Sequence, residues 1–470
     1  MHIEQIYTGC LAQGAYYIES NGEAAIVDPL REIQPYLDLA AKRGAKIKYI
    51  FETHFHADFV SGHVTLSEKT GAEIIFGPTA KCAFKYTNAE DGQRFPLGEL
   101  TIDTLHTPGH TMESTSWLLR LADDQPHALF SGDSLFLGDV GRPDLAQKAA
   151  DMTQEDLAGM LFDSTRSKIM TLPDEVIVYP GHGAGSACGK NMSSETVGSI
   201  GVEKATNYAL RADMTRDEFI EEVTDGLLPP PAYFPLNVAM NKQGYESFED
   251  VLKRGTHGLD PAKFERVAED SGAIVLDVRH ETAFAKEHVP RSIFIGLEGN
   301  FAPWTGALIV DVKQPLLLVC EPDQLEEAIT RLSRVGFDHV LGYLEGGVQA
   351  WKEAGNEIDC LERISSVDFA AVYKGQGGVV LFDVRTKNEH KSERVEGAVN
   401  EPLDLLSNNL DTFPRDKTFY MHCLTGYRSA ISQSILKSRG IHNVLDVIGG
   451  WKSLKETDIP VTAFVCPSTF

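Results

Sequence analysis

The second half of the sequence contains one segment twice. Residues 273–279 read Ala-Ile-Val-Leu-Asp-Val-Arg, and residues 379–385 read Val-Val-Leu-Phe-Asp-Val-Arg. Each is a short apolar run rich in β-branched residues, which is typical of a strand buried in a parallel sheet. Later in each copy another apolar run ends in a cysteine, Cys320 or Cys423, and a Gly-Gly pair follows each cysteine at the same distance. The repeat therefore predicts one βα unit used twice.

The length of 470 residues exceeds what a single hydrophobic core organises, so we expect several domains. Near residues 228–245 the chain reads Leu-Leu-Pro-Pro-Pro-Ala-Tyr-Phe-Pro, which interrupts regular structure and predicts a linker or an ordered arm. Together with the repeat, this break predicts three domains, at residues 1–247, 248–360 and 361–470.

Charge and cysteine content exclude several classes of protein. The net charge of −25 at pH 7 argues against nucleic acid or an anionic membrane surface as a partner. We find neither a signal-peptide pattern nor an apolar run of about 18 residues, so we expect neither export nor a membrane span. Seven cysteines without regular spacing do not predict a disulfide framework, and they favour the reducing cytoplasm.

In the first half, apolar runs end repeatedly just before a residue that can bind a metal. Such runs precede His54, His110, Asp133 and His182. Because the loops at the carboxyl ends of neighbouring strands converge at one edge of a sheet, we expect these side chains to share one site. His56 follows His54 at the spacing that puts both on one side of an extended chain, and Asp58 extends the set.

The motifs T-H-x-H-x-D, T-P-G-H, S-G-D and P-G-H, which end at Asp58, His110, Asp133 and His182, resemble those of the metallo-β-lactamase superfamily. The resemblance implies an α/β fold, an αββα sandwich with a metal at one edge. In its binuclear hydrolases of the glyoxalase II type a histidine follows the aspartate and binds the second metal. Here Phe59 stands at that position. Phenylalanine cannot bind a metal, so a binuclear zinc hydrolase is disfavoured but stays open.

Two histidines and one carboxylate form the facial triad that suits non-haem Fe(II) and oxygen chemistry. Persulfide dioxygenases of this superfamily use such a triad. The resemblance to them implies one Fe(II) per chain, bound by His54, His110 and Asp133. His56, Asp58 and His182 would then orient ligands or waters.

Three further residues are candidates for substrate binding. The resemblance puts the loop Gly-Arg-Pro-Asp at the mouth of the site, where Arg142 can hold a substrate carboxylate with both arms of its guanidinium; a structural salt bridge is the alternative. Cys188 follows His182 closely and can lie near the metal, with Lys190 able to lower its pKa. A second sulfur-handling thiol and an ordinary small residue are equal alternatives for Cys188.

The two repeated cysteines have different surroundings. Cys-Leu-Thr-Gly-Tyr-Arg, from Cys423 to Arg428, follows a strand and precedes a helical run, so backbone N–H groups, a helix N-terminus and a guanidinium all favour a thiolate and then an anionic persulfide. This loop resembles that of the rhodanese sulfurtransferases. In the first copy Glu321 and Asp323 flank Cys320, and Leu325 stands where the arginine stands. Because nearby carboxylates disfavour a thiolate, we predict a degenerate rhodanese-like domain that serves packing, spacing or oligomerisation.

The domain order resembles that of the bacterial persulfide dioxygenase–rhodanese fusions with two rhodanese modules. The resemblance implies oxidation of a low-molecular-weight thiol persulfide by O₂ to sulfite, and sulfur transfer through Cys423 to give thiosulfate, in sulfide detoxification. Glutathione, coenzyme A and bacillithiol stay open as the thiol. We expect a homo-oligomer. The alternatives are a glyoxalase II-like zinc thioester hydrolase fused to rhodanese, and a sulfur-carrier scaffold with a vestigial metal domain.

Overall fold

The computed structural model describes residues 1–147, 151–227, 229–375 and 377–466. The chain divides into two compact units, one of residues 1–248 with 333–336 and the other of residues 249–332 with 337–470. Both units are built from β-sheets packed against helices, so the α/β prediction is confirmed. Within the described residues, every helix is too short or too polar to cross a lipid bilayer.

Two six-stranded sheets form the centre of the first unit. The strands of the first sheet are, in spatial order, His2–Thr8, Gln13–Ser20, Glu23–Val27, Lys46–Phe51, Glu73–Phe76 and Thr87–Asn88. Those of the second are Gly198–Ser199, Ile177–Pro180, Pro126–Gly132, Thr115–Arg120, Leu100–His106 and Arg94–Leu97. Each sheet combines parallel and antiparallel pairs.

Apolar side chains fill the space between these two sheets, and helices cover their outer faces. Tyr16, Phe51 and Trp117 belong to the cluster between the sheets. Outside the first sheet lie the helices Gln34–Arg43 and His63–Thr70. Outside the second lie Gln154–Ser164, which continues as a π-helical turn over Thr165–Ile169, and Arg216–Thr224. Two short helices, Ile200–Thr206 and Tyr208–Leu210, complete this side. The layers are those of the αββα sandwich.

The proline-rich stretch is part of an ordered helix. The helix Phe234–Gln243 has Pro235 in its first turn, where proline is tolerated because the N–H it lacks has no intrahelical partner there. Leu228, at the start of the predicted break, lies outside the described residues. The segment is therefore an ordered arm, and this arm contacts the candidate site described below.

The second unit contains two five-stranded sheets with the same strand order and parallel pairing throughout. The first sheet has, in spatial order, Gly258–Leu259, Val340–Leu344, Leu316–Val319, Ile274–Asp277 and Ile293–Phe294. The second has Arg363–Ile364, Val444–Val447, Phe419–His422, Leu381–Asp383 and Val399–Asn400. The sequence repeat is thus a repeat of structure. The domain boundaries at 247/248 and 360/361 stay predictions.

Helices pack around each of these sheets. Those of the first copy are Phe248–Gly255, Pro261–Ser271, Glu281–Lys286, Phe301–Ile309, Leu325–Arg334 and Gly347–Glu353. Those of the second are Ser366–Gly375, Lys387–Ser392, the 3₁₀ turns Leu403–Asn408 and Leu410–Thr412, Tyr427–Ser438 and Gly450–Leu454. In both copies the Asp-Val-Arg motif is an internal ion pair, because Asp277 accepts from Arg279 and Asp383 from Arg385, each at 2.7 Å.

Candidate functional site

Three of the predicted ligands meet at one edge of the sandwich. Nε2 of His54 lies 3.8 Å from Oδ2 of Asp133, and Nε2 of His110 lies 3.5 Å from the same oxygen. All three side chains are buried, and their ligand atoms lie within 4.8 Å of one another. Oδ2 of Asp133 has no hydrogen-bond partner among the described residues. A buried carboxylate oxygen facing two imidazole nitrogens fits a bound cation, and the assignment of these three as metal ligands stays a prediction.

The hydrogen bonds behind the two histidines set their tautomers. Nδ1 of His110 lies 2.8 Å from the carbonyl oxygen of Arg142, which only accepts, so Nδ1 carries the proton. Thr53 donates its hydroxyl proton to Asp28 at 2.8 Å and therefore accepts from Nδ1 of His54 at 2.9 Å. Both Nε2 lone pairs are left free to face Asp133, as metal-binding histidines require. Burial and the neighbouring His56 also lower the pKa of His54 well below its usual value, which favours the neutral imidazole.

His182 lies between two carboxylates. Its Nδ1 is 2.8 Å from Oδ1 of Asp133, and its Nε2 is 2.8 Å from Oδ2 of Asp58. Burial lowers the pKa of His182, but the charges of Asp133 and Asp58 outweigh it and raise this pKa well above its usual value. Burial likewise raises the pKa of Asp133, but the charge and the hydrogen bond of His182 outweigh it and hold this pKa far below its usual value. His182 thereby holds one oxygen of Asp133 and leaves the other for the triad.

Two further buried clusters lie beside the triad. Asp58, His182 and Cys188 form one, and Asp28, Glu52 and His56 form the other. Phe59 is buried and stacks on His56, with ring centroids 4.2 Å apart and an interplanar angle of 30°. An apolar ring therefore follows Asp58, at the position where the sequence resemblance predicts a metal-binding histidine for a binuclear hydrolase.

Arg142 is not free to hold a substrate carboxylate in this structure. Its guanidinium donates to both oxygens of Asp144, at 2.7 and 2.8 Å, and to the carbonyl of Ala187 at 3.1 Å. The side chain is 6% exposed. The two-armed grip expected for a substrate is made to Asp144, so the geometry supports the structural alternative: Arg142 positions the backbone carbonyl that holds His110.

The prediction that Lys190 lowers the pKa of Cys188 is wrong. Nζ of Lys190 is exposed and donates to the carbonyls of Glu222 and Asp225, each at 2.7 Å. Cys188 is buried, and burial together with Asp58 and Asp133 raises its pKa well above the usual value. Cys188 lies close to the triad, as expected. Burial and the nearby carboxylates keep its thiol protonated.

The ordered arm contributes a residue that sequence reasoning missed. Nδ2 of Asn241 donates to the carbonyls of His56 and Phe59, each at 2.8 Å, and its Oδ1 accepts from the N–H of Ser61 at 2.9 Å. One buried amide thus binds the ligand loop at three points. Nothing in the sequence marks this asparagine, because its partners lie far away along the chain.

The sulfur site lies where the strand Phe419–His422 meets the helix Tyr427–Ser438. Sγ of Cys423 accepts from the N–H of Gly426 at 3.1 Å, and the hydroxyl of Ser429 lies 3.6 Å away. Of the predicted backbone N–H donors, that of Gly426 reaches the sulfur, and the Ser429 hydroxyl adds a second donor. Cys423 opens onto a cavity of about 230 Å³.

Arg428 lines the same cavity but is held by an acidic partner. Its guanidinium donates to both oxygens of Glu389, at 2.7 and 2.8 Å. Burial lowers the pKa of Arg428, and the hydrogen bonds and charge of Glu389 outweigh it and raise this pKa. The guanidinium therefore stays charged and fixed beside the thiol.

The surroundings of Cys320 disfavour its thiolate form, as the sequence predicts. Burial raises its pKa to about 12, and Asp277 and Glu321 add to the effect. The raised pKa agrees with the sequence reasoning. Burial is its largest cause, however, and Asp277 contributes more than Asp323. A thiol with such a pKa is protonated at neutral pH.

Models of two known protein families match separate parts of this chain. Residues 8–182 match the metallo-beta-lactamase superfamily, and residues 260–354 and 367–457 each match the rhodanese-like domain. The metallo-beta-lactamase of Staphylococcus aureus subsp. aureus COL has a similar structure, with a TM-score of 0.63 and 29% identity, and the match covers 73% of this chain and 98% of that one.

Two kinds of enzyme are similar in sequence to part of this chain. The hydroxyacylglutathione hydrolase of Rhizobium johnstonii is 36% identical over 166 residues, which are 35% of this chain. The chain spans only 58% of the length of that relative. The mitochondrial persulfide dioxygenase ETHE1 of Homo sapiens is 28% identical over 221 residues, or 47% of this chain and 78% of the relative. The chain thus consists of a metallo-β-lactamase domain followed by two rhodanese-like domains, an architecture that fits the family of persulfide dioxygenase–rhodanese fusions.

Proposed function

We propose that this protein is an iron-dependent persulfide dioxygenase with a sulfurtransferase domain on the same chain. In the overall reaction a thiol persulfide, O₂ and water give the thiol, sulfite and two protons. The observation that carries the proposal is the buried set of His54, His110 and Asp133, beside which Phe59 replaces the histidine of a second metal site.

The donor set supports Fe(II) in particular. Two neutral imidazoles and one carboxylate on one side of an ion leave several coordination positions open, the arrangement used by non-haem Fe(II) oxygenases. When bound, Fe(II) supplies redox chemistry with O₂ and open positions for ligands. Thr53 and the carbonyl of Arg142 orient the two imidazoles toward Asp133.

The residues around the triad keep charge and protons in place. The imidazolium of His182 offsets part of the negative charge of Asp133 and Asp58. Both of its ring nitrogens face these carboxylates at 2.8 Å, so His182 holds Asp133 and Asp58 in place beside the triad. Phe59 and the neighbouring apolar side chains limit the access of water.

Sulfur transfer is proposed at Cys423. The thiolate takes a sulfane sulfur from a donor to form a cysteine persulfide, and sulfite can attack the outer sulfur to release thiosulfate. The N–H of Gly426, the hydroxyl of Ser429 and the charged Arg428 support an anionic sulfur at this position.

The second candidate is a zinc thioester hydrolase of the hydroxyacylglutathione hydrolase type. It is favoured by the Rhizobium johnstonii relative and by the cluster of Asp58, His182 and Cys188, which offers ligands for a second ion. These three side chains would hold the second ion, and the zinc would supply activation of a water for hydrolysis. The lack of a histidine at Phe59 argues against it.

Metal content and O₂ uptake separate the two candidates. We expect the chain purified without oxygen to contain about one iron, and Asp133→Ala to abolish O₂ uptake with glutathione persulfide while cyanide-dependent sulfur transfer continues. Two equivalents of zinc with hydrolysis of S-lactoylglutathione would favour the hydrolase. Normal O₂ uptake by the Asp133→Ala chain would contradict the proposed iron site.

A further inference from the structure

A cavity of about 720 Å³ lies in the second unit, and none of its lining residues belongs to the proposed iron or sulfur site. Ile274, the first residue of its strand, lines the cavity, whereas Cys320 follows the carboxyl end of the neighbouring parallel strand. The cavity and Cys320 therefore lie at opposite edges of the first copy's sheet. The volume falls within the range of about 300–1,000 Å³ that is usual for pockets that enclose small molecules.

One wall of this cavity is a turn with a strained arginine. In residues 289–292 the N–H of Ser292 donates to the carbonyl of Val289 at 3.1 Å, and Arg291 has a φ of 65°. The second copy has the same turn at the same distance from its Asp-Val-Arg motif, with the same 3.1 Å hydrogen bond, but there Gly397 has the positive φ, of 83°. Glycine adopts a positive φ freely, whereas a residue with a Cβ atom is strained. The first copy thus keeps a strained residue, and Arg291 lines the cavity.

A second difference between the copies explains the open space beside the turn. One helix of each copy buries a phenylalanine, Phe264 in the first and Phe369 in the second. One turn later along these helices the first copy has Ala268, which lines the cavity, and the second has Tyr373. The hydroxyl of Tyr373 donates to a carbonyl of the turn, and a Cβ atom on Gly397 would lie 3.0 Å from its oxygen. In the second copy a tyrosine therefore occupies the space beside the turn, and in the first copy an alanine leaves it open.

Charged side chains of both signs line the cavity, and none of them forms an ion pair within the described residues. They are the carboxylates of Glu265, Glu269 and Glu357 and the guanidiniums of Arg291 and Arg439. A ligand with negative charge alone would meet three carboxylates, and a ligand with positive charge alone would meet two guanidiniums. A ligand with both an ammonium and carboxylate groups can pair with all five, and guanidinium holds a carboxylate with two parallel hydrogen bonds.

We propose that this cavity of the first rhodanese-like domain binds a small zwitterionic peptide, whose carboxylates pair with Arg291 and Arg439 and whose ammonium pairs with the glutamates. Strained residues persist where their side chains have a use. The guanidinium of Arg291 makes no hydrogen bond or ion pair within the described residues that would stabilise the fold, so binding is the use that the cavity gives it. The site is independent of the chemistry proposed for the metal triad and for Cys423.

Titration calorimetry of the full chain with S-methylglutathione tests the site. This peptide carries an ammonium and carboxylates, and it has no free thiol to bind a metal. We expect the parent to bind it, and Arg291→Gly to weaken binding about tenfold or more, the usual effect of losing a hydrogen bond to a charged group. Blocking the ammonium of the peptide by N-acetylation should weaken binding to the parent similarly. Arg266→Gln is the control, because Arg266 lies on the same helix as Glu265 but does not line the cavity. No binding by the parent, or equal binding by the parent and Arg291→Gly, would overturn the proposal.

The second copy supplies the design of a further test. The double variant Ala268→Tyr with Arg291→Gly gives the first copy the tyrosine and the glycine of the second, and we expect it to stay folded and to lose binding of S-methylglutathione. In thermal unfolding, Arg291→Gly alone should keep or raise the midpoint, because glycine removes the strain and the lost guanidinium has no partner within the described residues. Binding retained by the double variant would overturn the assignment of the cavity. A lower midpoint for Arg291→Gly would show that the arginine serves the fold, and would overturn the argument from strain.

Discussion

The side-chain amide of Asn241 and the backbone carbonyl of His56 are joined by a hydrogen bond of 2.8 Å across 185 positions of the chain. The same amide binds Phe59 and Ser61, so it sets the path of the loop that carries His54, His56 and Asp58. A residue of the proline-rich arm thereby controls where the proposed ligands lie.

Asn241→Asp removes the two N–H donors and keeps the size of the side chain. We expect it to weaken metal binding by about 10–100-fold, the usual effect of losing a group that orients ligands. Iron retained during dialysis against a graded series of chelator concentrations measures this. Asn237→Leu, one turn earlier on the same helix, is the control, because the described residues offer Asn237 no hydrogen bond. Equal retention in parent and Asn241→Asp would show that the loop holds its shape without the amide.

Phe59→His tests whether the aromatic ring is what prevents a second metal. The ring centroid lies 6.4 Å from that of His182, so an imidazole there can join Asp58 and His182 around an ion. We expect bound zinc to rise above the parent's level when both chains are equilibrated with excess zinc. Phe59→Leu, which offers no ligand atom, should bind no more than the parent. No difference between the two variants would mean that another feature closes the second site.

Cys320 is expected to be inert. Because its pKa is about 12, its thiolate fraction at pH 8 is negligible, and iodoacetamide should label it far more slowly than an ordinary exposed cysteine. Cys320→Ser should leave cyanide-dependent sulfur transfer unchanged. Peptide mass spectrometry after timed labelling checks the first claim. A loss of transfer greater than about tenfold, or about 1.4 kcal/mol in the barrier, in a folded Cys320→Ser chain would contradict the second.

The acid sensitivity of the first unit should depend on His63. Burial and the charge of His56 lower its pKa to about 3, whereas an unfolded chain has about 6.5. The unfolded state therefore binds more protons between these two pKa values. The contribution of neutral His63 to the free energy of unfolding is fully present above about pH 6.5 and is lost as the pH drops toward 3. His63 contacts Phe76 and Phe84, so phenylalanine fits the same place.

The parent should lose free energy of unfolding between pH 8 and pH 5, and His63→Phe should reduce this loss by about 2 kcal/mol. The figure follows because pH 5 lies about 1.5 units below the pKa of an unfolded histidine. Urea unfolding at the two pH values measures the difference. His442→Gln changes an exposed histidine and should leave the pH dependence as it is. The same slope in parent and His63→Phe would place the acid-sensitive group elsewhere.

Because the proposed persulfide oxidation and sulfur transfer take place on one chain, we expect thiosulfate among the products. Tethering raises the effective concentration of sulfite near Cys423, to about millimolar for a flexible connection of suitable length. The parent supplied with only persulfide and O₂ should release thiosulfate with sulfite, and Cys423→Ser should shift the product toward sulfite while O₂ uptake continues. Early time points at low persulfide limit the uncatalysed reaction. The same product ratio in both chains would mean that Cys423 does not receive the dioxygenase product.

Local spacing was enough to find much of this architecture. The run predicted to end at Cys320 is the strand Leu316–Val319, and the run before Cys423 is the strand Phe419–His422. His54, His110 and Asp133 could be grouped because each follows a strand, although the strand before His54 lies in the first sheet and the strands before His110 and Asp133 lie in the second. Hydrophobic periodicity and short motifs carry this information because burial and strand pairing repeat along the chain.

The partners of individual side chains were decided by tertiary packing. The sequence by itself determined the doubled sheet through its repeat and the αββα sandwich through the resemblance of its motifs, and it nominated the residues predicted to bind metal or sulfur. Only the tertiary structure paired Arg142 with Asp144, turned Lys190 away from Cys188 and brought Asn241 to His56. The physical reason is that a side chain's environment depends on residues packed from distant parts of the chain, and neither spacing nor composition records which of them come within hydrogen-bond distance.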